Sequence, residues 1–187
     1  MMNHKQEKLE NPARLAELVP EATLKRLGLT GGDFVCDIGA GSGIFTIPAA
    51  KQTRGTVYAV DPNAELLQII EARSKAEGLT NITILRTGDF NYEIPAESID
   101  LALLVTVLHE IEPKADLLRE VVRILKPSGS LCVIEFKKEP TPFGPPIDHR
   151  IAIDVVTTVC GDCGFSEHER FLLGENFYCV IFRKYAR

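Results

Sequence analysis

The sequence predicts an α/β protein, a mostly parallel sheet with helices packed on both of its faces. Three observations carry that reading. Apolar runs of strand length alternate with segments of helical spacing along most of the chain. A glycine-rich turn, Gly39-Ala40-Gly41-Ser42-Gly43, joins the first such run to the helix after it. The run Ile99–Val105 is apolar almost without a break, which suits a strand in the middle of a parallel sheet.

The bulk numbers set outer limits. At 187 residues the chain reads as one domain, residues 1–187, long enough to bury a sizeable core. Apolar content of 45% and charged content of 25% are ordinary for a soluble globular protein. A net charge of -5 argues against a nucleic-acid surface, because phosphate binding needs clustered Lys and Arg. No apolar run approaches a membrane span, and the N-terminus lacks the basic-then-apolar pattern of a signal peptide. A cytoplasmic location is therefore expected. Five cysteines, mostly within apolar strands, read as reduced core residues.

Taken in order, residues 1–11 are polar and expected to be loose at their start. Residues 12–27 carry Leu15, Leu18, Val19, Leu24 and Leu27 at helical intervals, broken at Pro20, so two short helices are expected, the second closed by Gly28. This N-terminal helical extension, residues 1–30, is either a lid over a ligand site or a cover for the sheet edge. Residues 34–38 form the first strand and 44–52 the first helix beyond the turn. The second strand, 56–60, runs into Asp61-Pro62. Residues 64–77 form a helix with Leu66, Leu67 and Ile70 inward and Gly78 as its stop. Ile82–Arg86 is the third strand, followed by Gly88-Asp89-Phe90. After the fourth strand come Val107, Leu108, His109, Glu110 and Ile111, then a helix over 114–125. Lys126-Pro127-Ser128-Gly129 reads as a turn into the fifth strand, 130–136. Residues 137–150 hold Pro140, Pro142, Pro145 and Pro146, a shaped loop expected at the mouth of a site. A last helix, 151–163, has Asp148 as its expected cap. Two strands, Phe165–Leu173 and Phe177–Lys184, close the chain. Cys160 and Cys163 are spaced as a redox pair or half a metal site, but no second such pair and no nearby His pair completes a metal set. The structural reading is preferred and no metal is expected.

The chemistry of the turn narrows the ligand. Dinucleotide folds use G-x-G-x-x-G and place a pyrophosphate on the helix N-terminus. Here the pattern is G-x-G-x-G, Ile44 stands where the third glycine would fall, and Asp37 precedes the first. A carboxylate repels a pyrophosphate and attracts a sulfonium or an ammonium. The turn therefore suits S-adenosylmethionine, with a nicotinamide-binding oxidoreductase as the poorer alternative. Asp61, at the end of the second strand, suits the two hydroxyls of a ribose through charge-assisted hydrogen bonds worth about 1.5–3 kcal/mol each. Its rival role, capping the next helix, is open to Asn63 instead.

The segment 35–46 resembles the first motif of class I S-adenosylmethionine-dependent methyltransferases, and later segments match that family in order over roughly residues 33–165. The resemblance implies a three-layer Rossmann-like sandwich with a seven-stranded sheet of order 3214576, strand 7 antiparallel. It implies cofactor contacts from Asp37, Gly39, Ala40, Gly41, Ser42, Gly43, Asp61, Pro62, Gly88, Asp89, Phe90 and Val105. Asp89 would meet the adenine amino group and Phe90 the ring, although an Asx turn also explains Gly88-Asp89. "Arg-Ile-Leu-Lys-Pro-Ser-Gly-Ser-Leu" resembles the family's segment after its last motif. The 137–150 loop with its flanks resembles small ubiquinone/menaquinone-biosynthesis-like members. The Asn-Pro-Pro-aromatic tetrad of nucleic-acid and glutamine methylases is absent, which favours a small-molecule acceptor.

Strand carboxyl ends carry the site in open α/β sheets, which makes His109 the candidate base and Glu110 its orienter or a substrate contact. His109 equally serves as a pocket wall. Glu135, Lys137, Lys138 and Arg150 are candidates for an acceptor with an anionic group. The expected reaction is methyl transfer from S-adenosylmethionine, leaving S-adenosylhomocysteine. A non-catalytic S-adenosylmethionine-binding regulator or assembly subunit is the alternative, and a homodimer is compatible with either.

Overall fold

A computed structural model describes residues 4–185. Seven strands form one sheet in the order β3-β2-β1-β4-β5-β7-β6. They are β1 (Val35–Ile38), β2 (Val57–Asp61), β3 (Ile82–Arg86), β4 (Ile99–Val105), β5 (Leu125–Phe136), β6 (Phe165–Leu173) and β7 (Phe177–Lys184). The first five are parallel, and β7 runs antiparallel to both β5 and β6. The order reverses between β1 and β4, and that switch point opens a crevice beyond the strand carboxyl ends.

The helices divide between the two faces because side chains alternate along each strand. Val35, Val57, Leu101 and Leu103 point to one face, where they meet Leu24 of α3 (Pro20–Arg26) and Ala49 of α4 (Thr46–Gln52). On the same face Ala59 packs with Leu67 and Ile70 of α5 (Ala64–Ala76). Cys36, Val60, Ala102 and Leu104 point the other way, onto Leu117, Leu118 and Val121 of α6 (Lys114–Ile124) and Val156 of α7 (Ile153–Asp162). The α6 residues recur at i, i+1 and i+4, so one stripe is wholly buried and Arg119 faces water. Each such aliphatic side chain contributes about 1.5–3 kcal/mol.

Most expected elements fall where the sequence puts them, and Asn63 does cap α5, accepting from the Glu65 and Leu66 amides. Four differences have physical causes. The polar N-terminus contains a helix, α1 (His4–Leu9), held by tertiary contacts rather than by an apolar stripe; the start of the expected loose stretch, residues 1–3, lies outside the described residues. Val19, expected on an apolar face, is exposed and left-handed (φ 37°) at the junction of α2 (Pro12–Leu18) and α3, where Pro20 begins the next helix. The turn at 126–129 is an irregularity within β5: Ile99 pairs with Leu125 and Leu101 with Ser130, so the extra β5 residues bulge outward. Finally, α7 begins after Ala152 with no side-chain cap, and Asp148 lies in a separate one-turn helix, Ile147–His149.

Candidate functional site

A cavity of about 740 Å³ opens at the switch point. Its floor consists of the ends of β1, β2 and β4, with Ile38, Gly39, Gly41, Asp61 and Val105 among its walls. The glycines are there for steric reasons. Gly39 (φ 72°) lies against the Val107 side chain, where a Cβ would collide, and Gly41 (φ 55°) leaves 2.9 Å between an added Cβ and Leu9 Cδ1. Gly43 is not part of the cavity wall; it gives Ile70 room to pack beneath the turn.

Asp61 is buried but accessible from the cavity. One carboxylate oxygen accepts the Gly41 amide at 2.9 Å and the other the Asn63 amide at 2.8 Å. It therefore fixes the turn to the start of α5, and each oxygen keeps a second lone-pair direction. Asp37 lies beneath the turn with Ala40 and Ser42, around a small void of about 20 Å³ rather than in the main cavity. It accepts a 2.6 Å hydrogen bond from Thr46 Oγ1. Burial, opposed by that hydrogen bond and helped by the neighbouring Asp61 charge, raises its pKa to about 6.

Pro62, Gly88, Asp89 and Phe90 all line the far end of the cavity. The turn there is organised by Thr87, whose hydroxyl accepts the Asp89 amide at 3.0 Å. That arrangement differs from the rival Asx-turn reading and leaves the Asp89 carboxylate out of the turn's own hydrogen bonds.

At the opposite end stands His109, in a one-turn helix, Leu108–Glu110, directly after β4. Its side chain is 7% exposed. It borders both the main cavity and an outer groove of about 450 Å³ that includes Lys138 and Val155. The two glutamates stand differently toward the ring. Glu110 is 74% exposed with its nearer oxygen 3.8 Å from Nε2. Glu135, expected at the acceptor, is 1% exposed beneath the ring, with Oε2 2.8 Å from Nδ1 and Oε1 3.1 Å from the His109 amide. Burial lowers the His109 pKa, but hydrogen bonding and charge from Glu135 outweigh it, so the net shift is upward.

Of the expected basic residues, Arg150 and Lys137 are engaged within the loop. Arg150 is buried and donates to the carbonyls of Pro145, Lys137 and Glu139, bracing the proline-rich loop from inside. Lys137 pairs with Glu139 at 3.5 Å. Lys138 lines the outer groove together with Arg150, His149 and Lys114.

Sequence reasoning offered the N-terminal helices as a lid or a sheet-edge cover, but not which of their residues reach the cavity. Lys5, Lys8, Leu9, Asn11 and Arg14 all line the main cavity. Arg14 is 4% exposed, donating to the Leu9 carbonyl at 2.6 Å and to Thr106 Oγ1 at 2.8 Å. Thr106 itself is left-handed (φ 56°), a strained state for a β-branched residue. The available signal was a charge four residues before Leu18, on the stripe that α2 buries. Phe136 was also missed; with Phe143 and Pro145 of the loop expected at the site mouth, it forms an apolar wall of the same cavity.

Comparison with known proteins adds a family. The profile of a methyltransferase domain matches residues 36–133, just over half of the chain. A demethylmenaquinone methyltransferase from Tropheryma whipplei (strain Twist) is 38% identical over 116 residues, covering 62% of this chain and 46% of that protein. The chain thus spans about half the length of the curated relatives it matches. Among solved structures, an S-adenosylmethionine-dependent methyltransferase from Aquifex aeolicus superposes with TM-score 0.89 at 28% identity, covering 94% of this chain and 95% of that one. A putative type 11 methyltransferase from Sulfolobus solfataricus gives 0.76 at 25% identity, covering 90% and 93%.

Proposed function

The chain belongs to the methyltransferase-domain family and has the fold of its class I, S-adenosylmethionine-dependent members, and on that premise we propose that it transfers a methyl group from S-adenosylmethionine to a small-molecule acceptor at His109. The observation that carries this reading is one cavity bordered by the glycine turn and Asp61 at one side and by His109 at the other. Its volume lies within the range of small-ligand sites.

The residues fit the cofactor on their own chemistry. The bare glycine backbone at 39 and 41 lets a ligand approach closely, and Asp61 retains acceptor capacity for ribose hydroxyls. Asp89 and Phe90 suit the adenine, and Arg14 is the buried cation suited to the amino-acid carboxylate. When bound, S-adenosylmethionine supplies an activated methyl carbon on a sulfonium. The protein's own contribution is to hold a nucleophile in line at close range, which accounts for roughly 7–11 kcal/mol of barrier in well-oriented reactions. His109 accepts the acceptor's proton at Nε2, since Nδ1 faces Glu135. Residues 4–18 act as a lid, because both helices line the cavity they would have to uncover.

The acceptor is apolar and ring-bearing. Phe136, Phe143, Ile111 and Pro145 offer flat hydrophobic walls, and the relative's name, demethylmenaquinone methyltransferase, points to a quinone-like ring. An anionic acceptor has weaker support, with Arg150 and Lys137 engaged elsewhere.

Calorimetry with S-adenosylmethionine, S-adenosylhomocysteine and NAD tests the cofactor, with heat expected from the first two alone. Transfer of labelled methyl to 1,4-naphthohydroquinone then separates an enzyme from a cofactor-binding regulator. Tight NAD binding without S-adenosylmethionine binding would overturn the reading.

A further inference from the structure

We propose that Glu135 is the positioning residue of a buried His109–Glu135 pair, and that this pair suits the site to acceptors that must lose a proton, hydroxyl or carbon acids. The inference rests on the proposed base role of His109 and deepens it to a class of acceptor.

The geometry is specific. Glu135 is the last residue but one of β5, and it meets His109 twice, at the backbone amide (3.1 Å) and at Nδ1 (2.8 Å). A carboxylate can only accept, so Nδ1 carries the hydrogen and Nε2 keeps its lone pair. Two bonds from one residue to one carboxylate also fix the rotation of the ring. The parallel register Val105↔Ile134 sets the end of β4 beside Glu135, and the one-turn helix Leu108–Glu110 that follows brings His109 onto its carboxylate. Holding a carboxylate at 1% exposure is costly, and a site that used only amines or thiols would gain nothing from it. Such nucleophiles need proximity; a hydroxyl or carbon acid needs a base as well.

The proton balance is closed. The acceptor's O–H or C–H proton passes to Nε2, and the pair it leaves behind forms the new bond to the methyl carbon as the carbon–sulfur pair departs with sulfur. The imidazolium is stabilised by Glu135 and returns its proton to solvent. The other titratable groups facing this pair are Glu110 on the same turn, Lys114 at the start of α6, Arg14 of α2 and Tyr178 of β7, the last two near Glu135. Glu110 reinforces the upward shift of the imidazole and Lys114 opposes it.

The test begins with nitrogen-15 NMR of the histidines in the ligand-free protein, which needs no acceptor. The neutral His109 ring is expected as the Nδ1–H tautomer with a pKa above 6.5, and Glu135→Gln is expected to lower that pKa. An Nε2–H tautomer, or a wild-type pKa at or below 6.5, overturns the pairing. Should the variant fail to fold, the wild-type spectrum still decides. Labelled methyl transfer is then measured on 1,4-naphthohydroquinone and on benzenethiol. Glu135→Gln should lower kcat for the hydroquinone roughly 10- to 100-fold with KM little changed, move the acidic limb of the pH profile to lower pH, and leave the thiol rate within about twofold. Equal losses on both acceptors, or transfer to the thiol alone, overturn the inference while leaving the methyltransferase reading intact. Failure to bind S-adenosylmethionine removes that reading instead.

Discussion

Arg14 of α2 and Thr106 at the end of β4 are 92 residues apart in sequence and joined by a 2.8 Å hydrogen bond. The bond ties the N-terminal helices to the floor of the cavity at the left-handed Thr106. Burial lowers the Arg14 pKa to about 10, with the Glu135 charge opposing, so the guanidinium stays charged at neutral pH. Arg14→Met keeps most of the apolar stem and removes the charge. Losing a charge-assisted hydrogen bond of about 1.5–3 kcal/mol predicts roughly 10- to 150-fold weaker S-adenosylmethionine binding. Calorimetry on the variant checks this, and adenosine, which lacks the carboxylate, should bind both proteins alike.

The proposed lid has a second tether. Arg73 of α5 donates to both oxygens of Glu10 (2.8 and 2.9 Å) and to the Ser42 carbonyl (3.0 Å), linking the end of α1 to the glycine turn. Burial raises the Glu10 pKa, but the Arg73 hydrogen bonds and charge outweigh it, and the net shift is downward. A lowered carboxyl pKa contributes stability above the unfolded value and loses it as pH falls through the folded one. The tether is therefore complete at pH 7 and is lost only as pH falls below the ordinary carboxylate range. With Arg73 a third exposed, it is worth about 1 kcal/mol at most. Glu10→Gln should quicken proteolysis within residues 4–18 with little change in overall melting temperature. Unchanged cleavage would remove Glu10 as a latch.

Asp37 is expected to trade stability for affinity. Its folded pKa of about 6 lies above the unfolded value of 3.8, so the folded protein prefers the protonated carboxyl and pays increasingly as pH rises from about 4 to 6. Asp37→Asn keeps an acceptor for Thr46 and removes that cost. Its melting temperature at pH 8 should equal or exceed that of the unmodified chain. Its affinity for S-adenosylmethionine should fall, and the wild-type gain in affinity between pH 5 and 7 should vanish.

How much of this was legible in the sequence depends on range. The strands Ile82–Arg86, Ile99–Val105, Phe165–Leu173 and Phe177–Lys184 were readable because apolar patterning and flanking glycines are local signals. So was the Asn63 cap. The partners of His109 were not: Glu110 is adjacent in sequence, but the tight turn after β4 leaves it in solvent, while Glu135 arrives through the pairing of β4 with β5. Arg150 illustrates the converse. Its proline-rich surroundings suggested a binding loop, yet a loop with few regular backbone hydrogen bonds needs an internal donor, and Arg150 provides one. Helix α1 lacks an apolar stripe, and its fit over the glycine turn is a tertiary fact.

The two glycines of the cavity wall offer a way to separate turn geometry from lid contact. At Gly39 an alanine must adopt φ near 72° and displace Val107, whose position is set by the turn after β4. The left-handed conformation costs about 1–2 kcal/mol and the overpacking about 1–3 kcal/mol. At Gly41 (φ 55°) the conformational cost is alike, but the atom met is the flexible Cδ1 end of Leu9 on α1. Gly39→Ala should thus lower unfolding free energy by about 2–5 kcal/mol, with the packing share recovered in the Gly39→Ala/Val107→Ala double variant. Gly41→Ala should be the milder in denaturant unfolding, yet it should open residues 4–18 to protease. If both variants lose equal stability and neither exposes that segment, Leu9 does not lie over the turn as the lid requires.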